Sequence, residues 1–409
     1  MDFEEVNRQL LRLNWSPVLV APTIDEAWDS WKRLFFSVIH EKVPSKVIAH
    51  IRPKSSWVTR DITALIKEEH KYWRQFKRSG SPEQLAAFRQ IRNKVTSKLR
   101  TAERKHLESL HRDIRLRSSP SSVKSFWSYI KRVTGKVKSS LVPDLQTSGP
   151  SGNIISVSDD RDKADVLNTF FAEQTRLHDT PSTFPDLSSL YDDASVADTL
   201  STTPAEVFDV LTHLKPGKAP GLDEIPPQLL RLCAPGIASS LSQLFNPSFN
   251  DCSVPSAWKE ALVVPVHKGG TRSDPSNYRP ITLLSIVCKV MEKLVHCRLN
   301  AFLEPVLSMR QSGFKKKDGT EMQLIRLIQE WSSTLDNLHL VGVVFFDIKK
   351  AFDWVWLPGL LHKLHSVGVR GKALAWFHSY LVGRRQRTAV GAICRQLPLY
   401  MPVYRKVLY

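Results

Sequence analysis

Asp347 and Asp353 stand six positions apart in the stretch LVGVVFFDIKKAFDWV, residues 340–355. The first ends an apolar run rich in Val and Phe, which reads as a buried central strand. An ionised carboxylate at the tip of such a strand is costly unless water or a cation meets it. Carboxylates so placed hold Mg2+, which takes oxygen ligands and keeps part of its water shell for substrate phosphates. Asp after a strand also caps the helix that follows, and the local pattern leaves both readings open.

The elements around this pair are unevenly charged. The 409 residues carry a net charge of +18, and residues 51–140 alone hold 23 Lys+Arg against 7 Asp+Glu. Residues 151–210 reverse the balance, with 3 basic against 12 acidic side chains. A segment as one-sided as 51–140 repels itself unless a polyanion screens it, and nucleic acid is the usual one. It reads as helices. WVTRDITALIKEEHKYWRQFKR spaces Ile62, Leu65, Ile66, Trp73 and Phe76 near helical period, and SPEQLAAFRQIRNKVTSKLRTAERKHLESLHRDI opens on Ser81 as N-cap with Pro82 in the first turn. A third helix is expected in SSVKSFWSYIKRVTG, ended by Gly135. Lys71, Arg74, Lys77 and Arg78 are the candidate nucleic-acid contacts, against the alternative of a solvated charged face. Trp73, Trp127 and Tyr129 are able to stack on bases, although aromatics at helical spacing more often pack inward.

Other signals exclude function classes. Five dispersed cysteines with no CxxC pair argue against a disulfide framework and a zinc module and for a reducing compartment. His296 beside Cys297 supplies two ligands, which do not make a metal site. The acidic N-terminus MDFEEVNRQL lacks a signal peptide's basic start, and no apolar stretch reaches the roughly 20 residues of a membrane span. An intracellular chain without a membrane partner is expected, in the nucleus, the cytoplasm or both. The paired aspartates of YDDA, Tyr191–Ala194, fall in an acidic Ser-rich and Pro-rich stretch, where Asp marks turns rather than catalysis.

The motifs FFDIKKAFDWV, LKPGKAPGLDEIPPQLLR (214–231), WKEALVVPVHKGGTRSDPSNYRPITLLSIVCKVMEKLV (258–295), QSGFKKKDGTEMQLIRL (311–327) and WFHSYLVGRRQRTAVG (376–391) stand in one order along the chain. Together they resemble the reverse transcriptases of non-LTR, LINE-type, jockey-like retrotransposons. The basic segment is similar to the region between endonuclease and polymerase in such elements. The resemblance implies an α+β fold with right-hand polymerase fingers and a partial palm, preceded by a basic all-α segment. It implies an RNA template, a DNA primer or target, dNTP and Mg2+ as partners, with retroelement RNA as a further one.

Placed on this sequence, the resemblance makes Asp347 the first metal-binding aspartate of the palm and its catalytic residue. Phe352 becomes the ring set against the sugar, where it excludes a 2′-hydroxyl, and Asp353 a supporting residue at the start of the next helix. Arg279 would hold the incoming triphosphate with help from Lys268; charge developing on that group must be met by fixed cations. Gly217, Pro220, Gly221 and Asp223 would shape the preceding loop. Lys315, Lys316 and Lys317 fit contact with the template backbone.

The same comparison implies parts not seen here. Two-metal phosphoryl transfer takes carboxylates from more than one strand, and the family's aromatic-x-Asp-Asp hairpin and GVPQGS-like segment are not found after Asp347. The ending PVYRKVLY is compatible, in a shifted frame with suitable synonymous codons, with GVPQGSV, so a frameshift near QLPLYM is expected. The expected organisation is a lead-in remnant at 1–50, a basic helical connector at 51–140, an acidic linker at 141–205 and a reverse transcriptase domain with an incomplete palm at 206–409. The expected function is a truncated RNA-directed DNA polymerase, inactive as encoded. The alternative from another class is a non-catalytic basic RNA- or DNA-binding protein.

Overall fold

A computed structural model of the chain describes residues 2–43, 57–117, 126–127, 129–130, 142–148, 153–175, 200–315, 318–348, 351–391 and 401–402. Lys316, Lys317 and the YDDA stretch lie outside the described residues.

The chain opens with α1 (Phe3–Arg12), α2 (Ser16–Leu19) and α3 (Ile24–Lys42). Asp2 caps α1 by accepting from the backbone N–H groups of Glu4 and Glu5, and Thr23 caps α3 by accepting from that of Glu26. The expectation of a lead-in remnant is corrected here. Val6, Leu10, Trp28, Trp31 and Phe35 are wholly buried in the main core, the Trp31 indole donates to Ser240 Oγ at 3.0 Å, and Trp28 stacks on Trp31 with centroids 5.5 Å apart. Large aromatic surfaces recurring on one helix face are stable only against a partner, and the later helices supply it.

Residues 46–139 form a compact unit of their own, built on α4 (Arg60–Ser79) and α5 (Pro82–Arg117). Gly80, with φ of +64°, ends α4 in the left-handed conformation and turns the chain into α5. Between the two helices Trp73 meets Phe88 at 4.9 Å while keeping 38 % of its surface exposed. Tyr129 is buried against Trp57, with its hydroxyl donating to Glu103 at 3.2 Å. Of the third helix expected near 121–135, the described residues 126–127 and 129–130 are helical.

The other unit continues with an antiparallel hairpin, β1 (Leu145–Ser148) and β2 (Ile154–Val157), and α6 (Asp160–Glu173). The stretch expected as an acidic linker therefore holds a hairpin and a helix. Next come α7 (Pro204–Thr212), α8 (Pro227–Leu232), α9 (Ala234–Asn250), β3 (Glu260–His267), β4 (Tyr278–Leu283) and α10 (Ile286–Leu303). The last described elements are α11 (Thr320–Asp336), α12 (Leu357–Ser366), α13 (Gly371–Leu381), β5 (Arg385–Thr388) and β6 (Met401–Pro402). The main sheet runs β4-β3-β5-β6, with β3 and β5 parallel and the other pairs antiparallel. The mixed α and β content agrees with the expected fold class. One core joins α1–α3 to α7–α10, α12 and α13, while a smaller one packs Leu145, Leu167 and Phe171 against Val263 and Tyr278.

The expected buried strand before Asp347 is also corrected. Val341–Ile348 is irregular backbone, and Val344, Phe345 and Phe346 are 73, 83 and 91 % exposed. β-propensity measures how a side chain fits a pleated, half-covered surface. Among the described residues no strand pairs with this run, so its apolar side chains have no sheet to fit.

Candidate active site

The β3–β4 hairpin sorts its residues by face. Register pairs Val266 with Arg279 and His267 with Tyr278, and the Lys268 N–H donates to the Asn277 carbonyl at 2.7 Å. Strand side chains alternate, so Val263 and Tyr278 go inward to the small core, while Val266, Arg279 and Ile281 stand on the exposed face. Lys268, two residues beyond Val266, is exposed at the end of the same row. Gly270, at φ +80°, carries the turn; a Cβ there would meet the Asn277 amide, which itself donates to the Thr271 carbonyl at 2.9 Å. A packed back thus holds a hairpin whose open face offers two cations.

The loop before α8 fixes where β4 ends. Gly221 lies on the Leu284–Ser285 peptide, leaving no room for a Cβ. Asp223 reaches the Ser285 hydroxyl, and Ser285 caps α10 by accepting from the Cys288 N–H at 3.3 Å. Burial pushes the Asp223 carboxyl above its ordinary range, against the hydrogen bonds from Ser285 and Ile225 and the charge of Lys32. Gly221 and Asp223 therefore act by position. Gly217 has open space around it.

A second cluster lines a cavity of about 450 Å3 formed by Lys293, His296, Asn300, Leu307, Gln311, Gly313, Phe314, Lys315 and Phe352. Lys293, His296 and Asn300 project from one face of α10 at i, i+3 and i+7. Burial and then the Lys293 charge hold His296 below its usual value. Phe352 stands edge-on to Phe314 with centroids 5.8 Å apart. Lys315 and Phe352 were named from the sequence and meet here; His296 was weighed only as a metal ligand, and Lys293, Asn300 and Phe314 were missed, although Lys293, His296 and Asn300 share a readable helical spacing.

Asp347 is exposed, whereas Asp353 is buried in a turn ahead of α12 rather than at the helix start. Among the described residues no three His, Cys, Asp or Glu side chains converge to hold a metal ion, so the residues described do not by themselves make a Mg2+ site. Lys71, Arg74, Lys77 and Arg78 are exposed on α4, with Lys77 over the Trp73 ring at 5.7 Å. Among the described residues no helix is long and apolar enough to cross a membrane.

Residues 266–399 match the family described as reverse transcriptase (RNA-dependent DNA polymerase). Over 309 residues the chain is 27 % identical to the RNA-directed DNA polymerase from mobile element jockey of Drosophila melanogaster, covering 74 % of this chain and 33 % of that protein. It is 31 % identical over 185 residues to the probable RNA-directed DNA polymerase from transposon X-element of the same species, covering 44 % of this chain and 20 % of the relative. These matches support a reverse transcriptase of the non-LTR, LINE type as what this chain is similar to.

The chain spans about a third of the length of the jockey polymerases it matches. The matched segment contains Lys268, Arg279, Lys315, Asp347, Phe352 and Asp353, whereas Gly221 and Asp223 precede it. Reverse transcriptases work with a divalent metal, which the exposed Asp347 carboxylate suits by donor type alone.

Proposed function

We propose that this chain handles nucleotide and nucleic acid for RNA-directed DNA synthesis, adding dNTP to a primer 3′-hydroxyl along an RNA template where the remainder of the catalytic site is supplied. In this reading the β3–β4 hairpin and α10 belong to the fingers and residues 340–391 to the palm. Arg279 and Lys268 hold the triphosphate from the hairpin's open face, giving fixed cations where charge develops. Phe352 bounds the sugar, Asp353 supports that turn and Asp347 is a metal ligand. Mg2+ would supply charge stabilisation at the phosphates.

The observation that carries the reading is the shared exposed face of Arg279 and Lys268 on a hairpin with a packed back, inside the matched segment. Binding of a fluorescent dNTP to the whole chain, in the presence of a primed RNA template, tests it. Arg279→Ala is expected to weaken binding about tenfold or more, in line with loss of one charge-assisted contact of about 1.5–3 kcal/mol. Unchanged binding in both Arg279→Ala and Lys268→Ala would remove the assignment. Primed-template binding with no nucleotide affinity would favour the non-catalytic alternative.

A further inference from the structure

α4 carries its charges in register. At about 100° per residue, Arg60, Lys67, Lys71, Arg74 and Arg78 fall within a sector roughly 60° wide. All five are exposed. Ile62, Leu65, Ile66, Trp73 and Phe76 project from the opposite side, where Ile62 is buried and Trp73 packs on Phe88. The acids Asp61, Glu68 and Glu69 lie off the stripe, and among the described residues no ion pair engages any of the five cations. Lys77 leaves the row to cover the Trp73 ring. Arg74 stays aligned with its Nε donating to the His70 carbonyl at 3.2 Å.

The stripe's length and its lack of aromatics identify a partner. From Arg60 to Arg78 it runs about 27 Å along a straight helix at 1.5 Å per residue. One strand of a B-form duplex advances about 3.4 Å per phosphate, so the row offers roughly one cation for every two phosphates. Binders of unpaired strands add aromatic platforms on which bases stack. Here the aromatic rings of α4 sit away from the cations, and Thr63 and Ala64 fill the gap after Arg60. Nothing on this face reads a base or grips an unstacked one. An anionic membrane is disfavoured too, because the apolar face such a helix would insert is already engaged, with Ile62 buried and Trp73 on Phe88 of α5.

We propose that the Arg60–Lys67–Lys71–Arg74–Arg78 stripe of α4 binds the phosphate backbone of double-helical nucleic acid without reading its sequence. The inference stands on α4 alone and does not require the polymerase reading.

Fluorescence anisotropy of the whole chain with a labelled 24-base-pair duplex, titrated across a range of KCl, tests it. Three duplexes of one sequence (RNA, DNA and RNA–DNA hybrid) separate the sources of the backbone, and the matching single strands form the comparison. The triple change Lys67→Ala, Lys71→Ala and Arg74→Ala is expected to reduce the slope of log K against log salt by about two to three. The off-stripe triple Arg12→Ala, Arg33→Ala and Lys363→Ala, exposed on three other helices, removes the same charge and is expected to change it by less than one. Alanine favours helix, and circular dichroism verifies that both variants remain folded. Equal losses in the two triples, single strands bound as tightly as duplex, or equal competition by anionic phospholipid vesicles would each overturn the proposal. A preference among the three duplexes names the partner and leaves it standing.

Discussion

The Asp223 carboxyl is held at the hydroxyl of Ser285, the residue that caps α10, in surroundings that favour its protonated form. Because burial raises its value in the folded chain above the ordinary 3.8, the folded state holds this proton more tightly than the unfolded one. Its contribution is therefore largest at low pH and is lost as pH rises from about that ordinary value through the raised one. Asp223→Asn keeps the acceptor oxygen and cannot ionise. Relative to the parent, the variant should be at least as stable near pH 7, and its advantage should shrink as pH falls toward 4, measured by urea unfolding across that range. An advantage independent of pH would remove the burial account.

Gly221 makes the adjoining contact by having no side chain. Adding a methyl group there drives it into the Leu284–Ser285 backbone, which carries β4 into α10. Overpacking of this kind costs about 1–3 kcal/mol. Gly221→Ala should lower the urea midpoint accordingly, while Gly217→Ala, in open space, should leave it nearly unchanged. Similar effects at both positions would point to loss of loop flexibility instead.

These two positions mark what the sequence made legible. Helices with caps and one apolar face were readable, as where Ser81 and Pro82 introduce α5. The alternation that separates Arg279 from Tyr278 was also present in the hairpin sequence. The place of residues 3–42 was not, because helical periodicity says that Trp28 and Trp31 need a partner without saying which helices provide it. The run before Asp347 misled for a related reason. Apolar composition states a demand for burial, whereas pairing depends on a neighbour that periodicity cannot locate. Asn300 escaped notice, and His296 was weighed only as a metal ligand, because long-range folding brings the 307–315 loop and Phe352 across their helix face.

The exposed run leads to its own prediction. Phe345 and Phe346 are 83 and 91 % exposed, and Leu324, Ile325 and Ile328 of α11 are each more than half exposed. Apolar side chains exposed in this number promote self-association and take up hydrophobic dyes. Phe345→Ser with Phe346→Ser should reduce dye fluorescence and slow aggregation, with a melting temperature within about 2 °C of the parent because little buried contact is lost. A large fall in melting temperature would mean that these rings are packed in the folded chain.

Arg384 provides the sharpest test of the core's polar wiring. Its guanidinium is buried 4.4 Å over the Tyr380 ring, its Nε donates to the Tyr380 carbonyl at 2.9 Å, and the Tyr380 hydroxyl donates to Glu292 at 2.7 Å. Burial lowers the Arg384 value, and the charges of Cys288 and Glu292 oppose that shift. Glu292 is thus part of what makes a buried cation tolerable, and removing it leaves the cation with less compensation than desolvation demands. Breaking such a buried arrangement on one side costs up to about 3–5 kcal/mol; because Glu292 keeps some exposure, about 2 kcal/mol is expected for Glu292→Ala. Arg384→Met should cost less than simple removal of contacts implies, since it also removes the desolvated charge. In a double-mutant cycle the two changes should couple by about 1 kcal/mol or more. Additive effects would show that Arg384 is stabilised by Tyr380 and the backbone alone, with Glu292 serving only the tyrosine hydroxyl.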